Sequence, residues 1–175
     1  MLKLLLFPVL MLFACALAAL YGAVHNQISF SVSPGYFYEL KFIQFRIDEA
    51  LQNRIGAAWV GVQASWWMGL IIGFPIYIVS LFVKGTKPFV RAFMRVSIMV
   101  VVLTLGIGLG ALAFAEFNFV AGDLPEWAPA RNVSDPLAFA KAGFMHDFSY
   151  MGGFIGLIFG VFLTIKYARQ SRREV

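Results

Sequence analysis

The chain has 175 residues, of which 61% are hydrophobic and 13% are charged, and its formal net charge is +5. Soluble domains have roughly 45–50% apolar and 25% charged residues, so this composition excludes an ordinary soluble domain and indicates lipid-facing surface. The positive charge does not indicate nucleic-acid binding, because the basic residues lie beside apolar segments, where they orient a membrane protein and meet anionic headgroups. We therefore expect the lipid bilayer, and no nucleic acid, as a partner.

Four apolar runs are long enough to cross a hydrocarbon core of roughly 30 Å, which needs about 20 helical residues. They comprise residues 4–24, 55–83, 96–118 and 142–165. The connecting segments are too short for a soluble domain with its own core. We predict an all-α fold, an integral membrane four-helix bundle that forms a single transmembrane domain over residues 1–175.

The first run has two interpretations. Lys3, an apolar stretch and then Ala16, Leu17 and Ala18 are typical of a secretory signal peptide with a small-residue cleavage site. The apolar core is longer than that of a signal peptide, which favours an uncleaved membrane anchor. Cys15 lies within this run and is the single cysteine of the sequence, so it forms no disulfide within the chain.

The first outer loop, residues 25–54, is the longest segment between runs. Residues 29–33 alternate polar and apolar, which predicts an extended piece, and Pro34 with Gly35 predicts a turn. The next residues predict an amphipathic helix, either a lid or docking element or, more simply, a connector that buries its apolar face in headgroups. Its apolar positions are Phe37, Leu40, Ile43, Ile47, Ala50 and Leu51.

Small residues recur at every fourth position on one face of several runs. Such stripes let helix backbones approach closely, so we interpret them as packing seams, within the monomer, in a homo-oligomer or with a membrane partner protein. Pro75 predicts a bend in the second run, because proline removes a helical hydrogen bond. The stripes are Ala57, Gly61, Ser65, Gly69 and Gly73, then Gly152, Gly156 and Gly160, and a shorter pair, Gly106 and Gly110.

The charged residues predict the orientation, since short loops rich in lysine and arginine stay in the cytoplasm. Acidic residues dilute the bases in the two other loops, residues 25–54 and 119–141, which therefore face outward. Both termini are then cytoplasmic, N-in/C-in. In the second outer loop, three prolines and Trp127 predict irregular structure with an interfacial aromatic. The cytoplasmic basic residues are Lys84, Lys87, Arg91, Arg95, Lys166, Arg169, Arg172 and Arg173.

Polar residues at the ends of membrane helices point to function, because removing them from water costs several kcal/mol unless a partner compensates. Here they gather at the predicted outer face, where two histidines meet several acids and amides. The set is His25, Asn26, Gln27, Gln63, Glu116, Asn118, His146 and Asp147.

Two imidazoles with nearby carboxylates are the ligand set of a divalent transition metal, and they are also typical of a proton relay. We predict a metal site formed by His25, Glu116, His146 and Asp147, with a proton as the alternative ligand. His146 and Asp147 lie about 100° apart on a helix, so one points at a common centre and the other serves a neighbour. The alternative without a ligand is that these residues satisfy helix ends near water.

Several stretches resemble a group of small bacterial inner-membrane proteins that are known only as hypothetical. They are residues 21–34, 42–45, 66–69 with the sequence Trp-Trp-Met-Gly, and 145–150 with the sequence Met-His-Asp-Phe-Ser-Tyr, followed by Gly152 and Gly153. The resemblance covers most of the chain. It implies a multi-pass protein of the bacterial inner membrane and implies no activity.

The sequence thus predicts a membrane protein that binds a metal ion or a proton at its outer face. One alternative is a structural or assembly subunit that packs through its glycine stripes, and another is a small transporter. Against transport, no ionisable residue lies near the predicted bilayer midplane, where carriers usually bind. No nucleophile is paired with a base in the sequence, which argues against an enzyme.

Overall fold

The computed structural model describes residues 2–124 and 133–173, which contain helices and turns but no strand. A π-helical turn, Phe37–Lys41, lies between α3 and α4, and a 3-10 turn, Glu49–Leu51, lies between α4 and α5. The α-helices are α1 (Leu2–Leu5), α2 (Phe7–Val32), α3 (Pro34–Tyr36), α4 (Phe42–Gln44), α5 (Arg54–Ser65), α6 (Met68–Ser80), α7 (Thr86–Asn118) and α8 (Pro136–Arg173).

Three of these helices, α2, α7 and α8, are long and apolar enough to cross a membrane. Helices α5 and α6 together are also long and apolar enough, but they meet at a bend of 41°. The described residues therefore hold three candidate spans, or four if the bent pair is one span. The prediction of a helical chain without strands is confirmed for the described residues, and three of its helices have the length and apolar composition of membrane spans.

Helix α2 is longer than the first apolar run, and the extended piece predicted for residues 29–33 is wrong. The helix continues to Val32, because residues on its inner face keep the helical period beyond the apolar run. Polar His25, Asn26 and Ser29 are buried on that face beside Phe30. The polar end of the helix therefore packs inside the protein.

The second run bends by 41° at Trp66 and Trp67. The Ser65 hydroxyl donates back to the carbonyl of Gly61, a bond that bends helices. The chain then shifts to shorter turns, with the Gly69 amide donating to the Trp66 carbonyl at 3.1 Å. Pro75 lies within α6, which continues as a helix to Ser80, and the bend predicted there stays a prediction.

The predicted amphipathic helix of the first outer loop is interrupted, and part of its predicted apolar face is wrong. The π-helical turn adds a residue to the helical repeat, which rotates the residues that follow. Phe37, Phe42 and Ile47 are buried, whereas Ile43 is 68% exposed and Leu51 is 48% exposed. The segment therefore contacts the bundle through a different face from the predicted one.

At each end of the helices, hydrogen bonds join segments that are distant in the sequence. At one end, Lys3 Nζ donates to the carbonyl of Leu81 at 2.9 Å, and the Lys84 amide donates to the Ser171 hydroxyl at 3.0 Å. At the other end, the Ser134 amide donates to the Glu39 carboxylate at 3.1 Å. Both chain ends therefore share one end with the turn after α6. The predicted irregular stretch with Trp127 lies outside the described residues.

Close backbone approach occurs at some of the glycines in the stripes. Gly61 of α5 lies against the backbone of Gly22 of α2, and a side chain at either position would clash with it. Gly69 of α6 lies against α2 in the same way. Gly106 and Gly110 of α7 have nothing within 4 Å of the place a Cβ would occupy. The shorter stripe is therefore no seam within the described chain.

Candidate functional site

Two histidines that are far apart in sequence form a buried pair. His25 of α2 is 3% exposed and His146 of α8 is 9% exposed. Their ring centroids are 4.5 Å apart and their planes are nearly perpendicular, at 82°. The structure thus brings together the two imidazoles of the predicted site.

Each histidine of the pair is hydrogen-bonded to a serine on the other helix. His25 Nε2 is hydrogen-bonded to the hydroxyl of Ser149 at 2.9 Å, and His146 Nε2 is hydrogen-bonded to the hydroxyl of Ser29 at 3.2 Å. His25 and Ser29 lie one turn apart on α2, as His146 and Ser149 do on α8. The pairing shows that the two helices run antiparallel here.

The partners of His25 can accommodate an added proton. Ser149 also donates to the carbonyl of Met145 at 2.9 Å, and then His25 Nε2 must donate to Ser149, since a hydroxyl has one proton. His25 Nδ1 faces Asn26 Oδ1 at 3.3 Å. The Asn26 amide nitrogen donates to the Ala57 carbonyl at 2.9 Å, which leaves its oxygen as acceptor. Both ring nitrogens then face acceptors, an arrangement that suits a protonated ring.

The segment between α2 and α5 covers the pair. The Tyr36 ring lies 4.9 Å from the His146 ring, and Lys41 Nζ lies 5.4 Å from the Tyr36 centroid. Burial lowers the pKa of Lys41, because desolvation disfavours the ammonium ion, and the charge of Asp147 partly offsets this. Burial raises the pKa of the Tyr36 hydroxyl. The Lys41 ammonium thus lies over the tyrosine ring that contacts His146.

A cavity of about 100 Å³ opens beside the pair. Its wall comes from α2, α5, α6, α7 and α8 together with Lys41 and Phe45. The bend between α5 and α6 contributes Ser65 and Met68 to the wall. Irregular backbone at membrane depth is tolerated where it lines a cavity, so the bend and the cavity belong together.

The cavity has a polar end and an apolar end. His25, Lys41 and His146 line one end together with Tyr21, whose buried hydroxyl has no hydrogen-bond partner within the described residues. Apolar residues of α6 and α7, among them Ile72 and Val100, line the other. Among the described residues of the wall, Lys41 is the charged group and none is acidic.

A second cavity, of about 40 Å³, continues the first towards the middle of the bundle. The two share lining residues from three helices, including Ala18, Met68 and Val100. The deeper cavity reaches Ala14 of α2 and Gly73 of α6. Both cavities lie against α2, and we call the two together the α2 cleft.

The two carboxylates of the predicted metal site are not buried with the histidine pair. Glu116 forms an ion pair with Lys141, whose Nζ lies 2.6 Å from the Glu116 carboxylate, and Asp147 is exposed. No group of three or more histidine, cysteine, aspartate and glutamate side chains in the described ranges, 2–124 and 133–173, is placed to hold a metal ion. The structure joins His25 to His146 without either carboxylate, and the metal site stays a prediction.

Three side-chain amides of the predicted outer cluster donate to backbone carbonyls, two of them on another helix and one on its own helix. Asn26 bonds α5, as described above, and Gln27 Nε2 donates to the Arg54 carbonyl at 2.8 Å. Asn118 Nδ2 donates to the Phe114 carbonyl of its own helix at 2.7 Å. These contacts have the form expected of residues that satisfy helix ends.

Sequence reasoning missed four residues of the site: Tyr21, Ser29, Lys41 and Ser149. Spacing carried a signal for the serines, since Ser29 follows His25 by four residues and Ser149 follows His146 by three. Lys41 carried no such signal, because the π-helical turn alone directs it towards the bundle. Tyr21 lies inside an apolar run, where no sequence pattern marks it as a residue of the site.

Comparison with protein-family models, with curated proteins and with solved structures finds no match for the chain.

Proposed function

We propose that the chain is a membrane-embedded binding protein that holds a small molecule in the α2 cleft, at the His25–His146 pair. The observation that carries the proposal is a cleft inside the helices with an imidazole pair and Lys41 at one end and apolar walls at the other. Ligand sites of this kind combine apolar walls with a few polar groups that orient the ligand. A purely structural subunit does not need a cleft with polar groups at one end and apolar walls at the other.

The proposal includes a bundle of four spans in the bacterial inner membrane, with α5 and α6 as one bent span and both termini cytoplasmic. The basic residues of the turn after α6 and of the C-terminal part of α8 support this orientation. The location rests on the resemblance to small bacterial inner-membrane proteins. The polar end of the cleft then faces the outer side.

A proton is a second candidate ligand, since both ring nitrogens of His25 can face acceptors, although the charge of Lys41 acts against it. Ser149 and Asn26 offer an acceptor to each ring nitrogen, so protonation breaks no bond there. Proton binding at the pair is compatible with a small molecule in the cleft, because the molecule occupies the space beside the rings.

Filling the cavity with a larger side chain tests the proposal. We expect wild-type protein, purified in mild detergent, to carry a small molecule that organic extraction and mass spectrometry detect. Ala64→Phe should abolish its recovery, because Ala64 lines the cavity and a phenyl ring occupies that space. Ala113→Phe is the matched control, since Ala113 is an exposed helical alanine of α7.

Equal recovery of the molecule from both variants would contradict binding in the cleft. The folding of each variant is checked by its elution as a single species and by circular dichroism. A variant of Ala64 that does not fold is replaced by Ala64→Leu, which fills less space.

A further inference from the structure

We infer that the ligand of the α2 cleft is a single-chain fatty acid, with its carboxylate at Lys41 and its alkyl chain along α2. The inference rests on the proposed function and names the class of molecule bound. Three features carry it: the charge of the polar end, its free donors, and the length and shape of the apolar part.

The charge of the wall favours an anion. Lys41 is half-buried, its charge acts on both His25 and His146, and no acid lines the cavity among the described residues. Lys41 forms no ion pair within the described chain, where its Nζ donates to Gln44 Oε1 at 3.2 Å. Asp147 is the nearby acid, but it is exposed and lies outside the wall. Asp147 acts on Lys41 from outside the wall, and a ligand carboxylate would supply the counter-charge that the wall itself lacks.

The polar end also offers hydrogen-bond donors that lack acceptors. An ammonium has three donors, of which the Gln44 bond uses one. The buried Tyr21 hydroxyl lies near Ser149 but forms no hydrogen bond of normal geometry within the described residues. A carboxylate accepts several hydrogen bonds on its two oxygens, whereas an alcohol brings no charge to Lys41.

The apolar part fits one alkyl chain. The cleft follows α2 from His25 to Ala14, eleven residues or about 16 Å at the helical rise. The walls of the second cavity are apolar residues and glycine, with Ser97 as a polar exception whose hydroxyl donates to the Phe93 carbonyl of its own helix. Both cavities lie against α2, so the path between them suits one extended chain rather than the two parallel chains of a phospholipid.

The experiment uses the full chain in phosphatidylcholine nanodiscs and dodecanoate with a photoreactive diazirine at its terminal carbon. Irradiation should label peptides that contain Met68, Ile72 or Val100, which line the apolar part. Unlabelled dodecanoate should compete, and dodecanol should not. Lys41→Met should reduce labelling about tenfold or more, because a buried charge partner is lost, and Lys41→Arg should retain it.

Lys141→Met is the matched control, since Lys141 contacts Glu116 at the same end of the bundle and lies outside the cleft. Competition by dodecanol equal to that by dodecanoate, or unchanged labelling of Lys41→Met, would overturn the fatty-acid inference and leave binding in the cleft intact. Competition by a decyl-substituted benzoquinone without competition by dodecanoate would overturn it in the same way. Labelling spread over lipid-facing residues and unaffected by Ala64→Phe would overturn the proposed function itself.

Discussion

At the residue scale, His25 and His146 are buried because serine hydroxyls replace the water that the rings lose. Each serine belongs to the opposite helix from the ring it serves, so neither helix satisfies its own histidine. A buried polar group left without a partner costs about 1–3 kcal/mol. These two hydrogen bonds therefore couple the packing of α2 to that of α8.

Replacement of Ser149 by alanine should lower the free energy of unfolding by about 1–3 kcal/mol, because His25 Nε2 loses its partner inside the protein. The measurement is thermal or chemical unfolding in mild detergent. Ser97→Ala is the control, since the Ser97 hydroxyl donates to the Phe93 carbonyl within its own helix. An equal loss in both variants would show that the contact between helices adds nothing.

At the element scale, the bend between α5 and α6 and the close approach of α2 act together. Gly61 and Gly69, on either side of the bend, both lie against α2. Backbones that approach this closely gain dispersion contacts and weak hydrogen bonds in a membrane, where no hydrophobic force draws helices together. The bend turns the chain between these two contacts and leaves the cleft beside it.

Gly69→Leu should lower the midpoint of thermal unfolding, because a Cβ at this position would lie 2.5 Å from the Ala14 carbonyl oxygen. Forced overpacking costs about 1–3 kcal/mol or more. Gly110→Leu, where a Cβ meets nothing within 4 Å, should leave the midpoint unchanged or raise it, since leucine favours helix over glycine. If the two variants unfold alike, close approach at Gly69 carries no stability.

At the scale of the whole molecule, the contacts at the two ends show which segments lie together. The contacts of Lys3 and Ser171 place both chain ends beside the turn after α6. The contact of Glu39 with Ser134 joins the two segments at the opposite end. In the proposed topology, the basic residues place the end with both chain ends in the cytoplasm.

Reporter fusions test that orientation. Fusions at Thr86 and at the C-terminus should report a cytoplasmic location, and fusions near Asn53 and Asp135 an external one, because the segments with uncompensated lysine and arginine stay inside. An external signal at Thr86 would reverse the orientation and place the His25–His146 pair on the cytoplasmic side.

The candidate site was only partly predictable from the sequence. His25 and His146 stood out, because ionisable residues at the ends of apolar runs are rare. Glu116 and Asp147 stood out for the same reason, yet the structure pairs Glu116 with Lys141 and leaves Asp147 exposed. The residue types and their positions along the apolar runs could be predicted from the sequence. The direction in which each side chain points around its helix could not.

The sequence by itself determined the membrane-spanning helical class, because about 20 consecutive apolar residues have few stable states except a helix in lipid. The tertiary structure alone decided where the second run bends, which face of residues 34–44 turns inward, and that Lys41 joins the histidines. The bend follows the Ser65 bond at the end of α5, and the inward face of residues 34–44 follows the π-helical turn. Packing against α2 and α8 selects among registers that the sequence pattern leaves nearly equal in free energy.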